Sequence, residues 1–185
     1  MCLCLFLFTL VDQFIKGEFV LAVGSHGAGL GQFSNLSGLA LTPDETRLLV
    51  CDSGNHRVVV ADARDGRSLR ELRGPAGTLQ GPCAAVVVPQ TGQVLVLDCT
   101  RCLVVVFAGV DDDTVVRTLG GPQLQLYYPR GLAVLDGDVG DVAAPDGPVA
   151  VVADTSNHRL SLLRVRDGTL VRHLGSRGAA PCEPT

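Results

Sequence analysis

Two short stretches of the chain set a carboxylate, an amide, an imidazole and a guanidinium at one fixed spacing. The first is Asp52-Ser53-Gly54-Asn55-His56-Arg57 and the second is Asp154-Thr155-Ser156-Asn157-His158-Arg159. An Asp close to a His can orient the imidazole for general acid–base work. His26, His56 and His158 together supply three imidazoles, a plausible donor set for a catalytic zinc ion with one open position. Arg57 and Arg159 suit pairing with carboxylate or phosphate. The duplication itself argues against catalysis. Two copies of one motif on separate structural units cannot both serve a single off-axis active site, whereas a motif carried by each unit meets a need of each unit.

The elements that hold these motifs repeat as well. Asp52, Asp98 and Asp154 each close an apolar run: "LLVCD", "VLVLD" and "VAVVAD". Each Asp is followed by a short polar stretch and a second apolar run: "VVVAD", "VVVFA" and "LSLLRV". A turn comes next, with Asp65-Gly66, Asp111-Asp112-Asp113 or Asp167-Gly168, and Asp-Gly between strand-like runs signals a hairpin. A shorter run ending in Gly closes the unit: "SLRELRG", "VVRTLGG" and "LVRHLGS". One more run, from Gly38, Ala84 or Gly131, precedes each Asp. The span from that run to its Asp is the same in the first two units and nine residues longer in the third. The surplus falls in the acidic, Gly- and Pro-rich stretch "DGDVGDVAAPDGP", a loop insertion of the kind repeats tolerate.

Each unit is therefore four short strands in a meander, with a period in the forties to fifties of residues. That describes a β-propeller blade. No segment has a sustained helical period. The spacing predicts strands near 38–42, 48–52, 58–62 and 69–73, repeated through the next two units. The organisation read from it is the rear half of a blade at 1–24 and blade one at 25–74. Blade two follows at 75–120, blade three at 121–175 with an insertion at 136–148, and the start of another link at 176–185. The fold class is all-β, a partial propeller of about three and a half four-stranded blades. Such an arc exposes strand edges, so self-association through those edges is expected. A piece of a longer chain and a ring closed by oligomerisation are both compatible with the count.

Composition narrows the function classes. Of 185 residues, 46% are hydrophobic, which permits a sizeable core, and 22 Gly and 10 Pro fit frequent turns. The formal net charge is −4, without the basic surplus that nucleic-acid affinity draws on. Lys16 is the only Lys. Seven cysteines at irregular spacing do not suggest a disulfide framework. Cys51 and Cys83 lie in apolar runs and read as buried thiols. Cys99-Thr100-Arg101-Cys102 is an isolated C-x-x-C, short of a zinc site on its own. The apolar amino end, "MCLCLFLFTLV", resembles a signal-peptide core without its basic flank. The repeat offers a second explanation: "LFLFTLV" and "EFVLAVG" take third- and fourth-strand positions.

The stretch "GAGLGQFSNLSGLALTPDETRLLVCDSGNHRVVVAD" resembles an NHL repeat. The third unit resembles it through "YYPRGLAV" and "VADTSNHRLSLL", while the second departs, with Arg101-Cys102-Leu103 in place of Asn-His-Arg. The resemblance spans about residues 18–178. It implies a β-propeller, six-bladed in many members, that binds proteins or RNA and often accompanies tripartite-motif ubiquitin ligases. A minority of members resemble peptidyl-α-hydroxyglycine lyase, a zinc enzyme. The sequence shows no RING, B-box or coiled-coil segment, so ligase activity is not expected of this stretch.

The function expected is a non-catalytic platform for protein or peptide, with RNA less favoured by the charge. No cofactor and no membrane association are expected, and the location is read as cytoplasmic. The zinc lyase, with His26, His56 and His158 as ligands, is the alternative. The expected binding face joins the turns after the second strands to the links between blades. It carries Asn55, His56, Arg57, Arg101, Tyr127, Tyr128, Arg130, Asn157, His158 and Arg159. Phe33 reads as a wedge between blades, and Tyr128 as either a wedge or a contact residue. Asp52, Asp98 and Asp154 are assigned a structural role; Asp52 and Asp154 are expected to bond amides of their own turns, and Asn55 and Asn157 tolerate the left-handed conformation such turns demand.

Overall fold

The computed structural model describes residues 3–4, 22–121, 124–135 and 147–175. Three expectations lie outside them: the strand over "LFLFTLV", the body of the acidic insertion, and the link after residue 175. Four short strands come first: β1 (Leu3–Cys4), β2 (Ala22–Val23), β3 (Ser25–His26) and β4 (Gln32–Phe33). β1 pairs antiparallel with β2, and β3 pairs parallel with β4.

Three four-stranded antiparallel sheets follow. The first holds β5 (Leu36–Leu41), β6 (Arg47–Asp52), β7 (Arg57–Asp62) and β8 (Ser68–Leu72). The second holds β9 (Pro82–Val87), β10 (Val94–Asp98), β11 (Leu103–Gly109) and β12 (Asp112–Gly120). The third holds β13 (Gly131–Leu135), β14 (Val149–Asp154), β15 (Arg159–Arg164) and β16 (Leu170–Leu174). Every sheet is a simple meander, and the strands fall within two residues of their expected positions in the first. Among the described residues the helical pieces are two single 3-10 turns, Ser53–Asn55 and Thr155–Asn157. None is long and apolar enough to cross a membrane.

Valine and leucine dominate the central strands, where β-branched side chains pack well on a pleated surface. The pleat sends alternate residues to opposite faces, and each face has its own neighbour. Leu49, Cys51, Val58, Val60 and Leu72 of the first sheet pack with Ala85, Val87, Val94, Val96, Val105 and Phe107 of the second. The second sheet's other face, including Leu95, Leu97, Val104, Val106 and Leu119, meets Ala150, Val152 and Leu163 of the third. The sheets therefore stack face to face as blades. Phe33 is buried with Leu48, Val50, Val59 and Ala61 on the far face of the first sheet, the wedge position expected for it. The hairpin turns need glycine where expected: Gly66 and Gly168 have φ of 71° and 76°.

One blade position reports how each outer strand is covered. Leu72 pairs with Val58, Leu119 with Val104 and Leu174 with Leu160. Leu72 and Leu119 are 0% and 1% exposed, whereas Leu174 is 37% exposed, since among the described residues no further four-stranded sheet packs against its face of the third sheet. Truncating a buried leucine to alanine costs about 2–5 kcal/mol through lost transfer energy and the cavity left behind. Leu72→Ala and Leu119→Ala should each fall in that range, and Leu174→Ala should cost less than half as much, as read by the shift in urea midpoint.

Candidate functional site

Each second strand ends on a buried Asp, and its carboxylate organises one end of the blade. Asp52 accepts the backbone N–H of Ser34 at 2.7 Å, Asn55 Nδ2 at 2.8 Å and Arg57 Nε at 2.7 Å. Asp154 repeats this with the N–H of Tyr127 at 2.7 Å, Asn157 Nδ2 at 2.9 Å and Arg159 Nε at 2.8 Å. Ser34 and Tyr127 belong to the links entering the blades. The carboxylates therefore tie down those links rather than their own turns, which corrects the expectation for Asp52 and Asp154. The reason is geometric. The 3-10 turn already closes itself, with His56 and His158 donating their N–H to Ser53 and Thr155, while the link has amides to satisfy.

The rest of the motif serves the same link. Asn55 Nδ2 donates to the Gly27 carbonyl at 2.9 Å, and Asn157 Nδ2 donates to Gln125 at 2.8 Å. Arg57 donates to the carbonyls of Ala28, Gly29 and Gln32 and pairs with Glu71. Arg159 donates to the Leu124 carbonyl at 3.0 Å. Arg57 is 1% exposed, so its assignment to an exposed binding face is corrected: every described contact points inward. Asn55 and Asn157 are not the left-handed residues expected. They end the 3-10 turns, and His56 and His158 take the left-handed cap, each at φ 55°. Moving that conformation one residue on frees each Asn side chain to face the link.

The second blade solves the same problem with other groups. Leu103 replaces the arginine, and Asp98 is cradled by four backbone N–H groups: Gln80, Gly81, Thr100 and Arg101. Here the turn amides do bond the carboxylate. Arg101 stands at the asparagine position and reaches the link itself, donating to the Thr78 carbonyl at 2.6 Å and to Gly77 at 3.2 Å. Cys102 takes the left-handed position at φ 53°.

His56, His158, Arg101, Tyr127, Tyr128 and Arg130 are exposed, while Asn157 and Arg159 are half-buried. Tyr127 and Tyr128 are 56% and 53% exposed, which removes the wedge option for Tyr128. Their rings meet edge to face, 5.5 Å between centroids. Gln125 and Tyr128 both have positive φ, 48° and 46°, so the buried Leu124 and Leu126 turn inward while the tyrosines turn out. His56 borders a cleft of about 280 Å³ with Arg73, Pro75, Leu79 and Gln80, and its Nδ1 is bonded to the Gln80 carbonyl. Arg73, Leu79 and Gln80 were not singled out in the sequence. Their signal was weak: Leu79 is the one large apolar residue in the link 74–82. Among the described residues no three His, Cys, Asp or Glu side chains gather where they could hold a metal ion. His26, His56 and His158 therefore do not form the zinc set considered above.

Residues 33–61, which span β5 to β7 and the Asp52 turn, match the family model for the NHL repeat. These residues are an NHL repeat. Three stacked four-stranded sheets, the first of them carrying this repeat, form a nearly all-β fold consistent with a partial β-propeller of NHL type. Among solved structures it is similar to the hydrazine synthase of Kuenenia stuttgartiensis, a β-propeller protein. That match has a TM-score of 0.57 and 18% identity, and it covers 80% of this chain and 39% of the other. The likeness is one of fold, and the chain spans well under half of that protein's length. No curated protein matches the chain by sequence.

The inward roles make a contrast between the first and second blades testable. Removing one partner of a buried ion pair costs about 3–5 kcal/mol, because the other charge is left buried and unpaired. Arg57→Ala strands Asp52 in this way and should destabilise by that amount. Arg101→Ala removes an exposed guanidinium from carbonyls that water can reach and should cost about 1 kcal/mol or less. Urea unfolding of the two variants measures the difference.

Proposed function

We propose that the chain is a non-catalytic binding platform for a protein or peptide, and that the partner engages the face formed by the links and the turns after the second strands. The observation that carries this reading is the exposed Tyr127–Tyr128 pair beside the exposed Arg130. These types dominate binding hot spots, because large rigid rings bury much area at low entropic cost and a guanidinium offers several donors. Buried anchors at Leu124 and Leu126 and the hydrogen bond from the Tyr127 N–H to Asp154 hold the pair in place, which lowers the ordering cost of binding. The apolar cleft by Leu79 and Pro75, rimmed by His56 and Arg73, extends the same face by one blade.

The motif Asp, Asn and Arg groups are spent on holding links, which supports an architectural rather than catalytic role for them. The net charge of −4 favours protein or peptide over RNA.

A peptide selected from a displayed library on the intact chain gives the test, read by fluorescence anisotropy. Tyr127→Ala and Arg130→Ala should each weaken binding at least about tenfold, or about 1.4 kcal/mol. Arg64→Ala, in the β7–β8 turn at the other end of the blade, should leave it unchanged. Undiminished binding by the first two variants, or loss with Arg64→Ala alone, would put the site elsewhere.

A further inference from the structure

The strand registers set Ser37 and Ser53 of the first blade in the places that Cys83 and Cys99 hold in the second: Gly38 pairs with Cys51 as Ala84 pairs with Leu97. In the first blade the two hydroxyl oxygens lie 2.8 Å apart, and each is within hydrogen-bonding reach of the carbonyl of Pro82 at the start of the next blade. In the second blade the same two places hold thiols. Cys83 Sγ donates to the Pro129 carbonyl of the next link at 3.5 Å, the counterpart of Pro82. Cys99 Sγ donates to the Gly81 carbonyl at 3.3 Å. The β9–β10 register skips Cys83 at a bulge, with Leu97 paired to Ala84 and Asp98 to Pro82. The third blade has Arg130 and Thr155 in these places. The blade architecture therefore needs no sulfur here, and what the thiols add over the serines is redox chemistry.

We propose that Cys83 and Cys99 are a modification site, a pair that a peroxide-class oxidant converts to an intrachain disulfide and a dithiol reductant restores. The hydroxyl oxygens in the same two places of the first blade lie 2.8 Å apart, and the shared register sets the two thiols against each other in the same way, the juxtaposition a disulfide requires. Cys99 is partly exposed and Cys83 is buried. Burial, and then the adjacent Cys99 thiol, push the Cys83 thiol up from its ordinary range. Cys99 consequently reacts first. Its thiolate attacks a peroxide oxygen, the O–O bond breaks, and a sulfenic acid and water result. Cys83 then gives up its proton and attacks the Cys99 sulfur; the S–S bond forms, the S–O bond breaks and a second water leaves. Two thiols lose two electrons and two protons, and the peroxide becomes two waters. Cys99 directly follows Asp98, which holds the Gln80 and Gly81 amides. The bond would staple the start of β9 to the turn that grips this link, at the Gln80 wall of the cleft.

Trypsin cuts after Arg73 and Arg101, so Cys83 and Cys99 fall in one peptide, 74–101, and Cys102 falls in the next. The intact chain is treated with hydrogen peroxide, denatured, alkylated with iodoacetamide, digested and weighed. The expected product is peptide 74–101 lighter by two hydrogens with alkylation lost at both cysteines; dithiothreitol returns the doubly alkylated form. The Cys83→Ser/Cys99→Ser variant, which recreates the serine pair of the first blade, should fold and give no loop. Cys51 is the internal control: burial pushes its thiol up to about 12, and it should emerge alkylated after denaturation. Three results overturn the proposal: double alkylation after peroxide, separate over-oxidation of both thiols, or peptide 74–101 joined through Cys99 to the peptide carrying Cys102.

Discussion

A carboxylate buried at the end of each second strand is the constraint on which this structure rests. Asp52, Asp98 and Asp154 are all 0% exposed, and an ionised group out of water is tolerable only when its acceptor sites are filled. Each fills them with backbone N–H groups of the link that enters the blade, at Ser34, at Gln80 and Gly81, and at Tyr127. Hydrogen bonds to a charged acceptor contribute about 1.5–3 kcal/mol each. The same bonds that satisfy the carboxylate fix where the first strand of the blade begins, and so place one sheet against the next.

The second charge in the system differs between blades, and that difference separates architecture from surface. Arg57 lies deep enough to bind three link carbonyls and Glu71 as well as Asp52. Arg159 does less and is partly exposed. In the second blade Leu103 takes the arginine's place and adds to the apolar packing, backbone amides replace the guanidinium at Asp98, and Arg101 holds the link from outside. One requirement, a link held at both its amides and its carbonyls, is met by three sets of side chains. The side chains of His158, Tyr127, Tyr128 and Arg130 stay exposed at the surface.

Much of the fold was legible in the sequence, because the Asp register and the recurring apolar runs mark the strands directly. The Asp65-Gly66 and Asp167-Gly168 turns and the Phe33 wedge were legible for the same reason: each is a local pattern with one low-energy solution. The site was less legible, because its contacts join residues twenty to thirty positions apart. Nothing local says that Asp52 reaches Ser34 rather than its own turn, or that His56 rather than Asn55 takes the left-handed cap. Arg57 and Arg101 look alike in sequence, yet one is buried and the other exposed, since only a side chain on the strand itself points between the sheets. The equivalence of Ser37–Ser53 with Cys83–Cys99 emerges only from strand registers, since a bulge displaces one of its members.

The central claim is that buried carboxylates hold the links, and amide hydrogen exchange tests it most directly. Ser34, Gln80, Gly81 and Tyr127 lie in links, where amides open to water exchange quickly unless bonded. Held by Asp52, Asp98 and Asp154, they should be protected to the same order as the strand amides of Val50, Val96 and Val152, and far more than the neighbouring Gly77. Exchange at the rate of Gly77 while the strands stay protected would contradict the account.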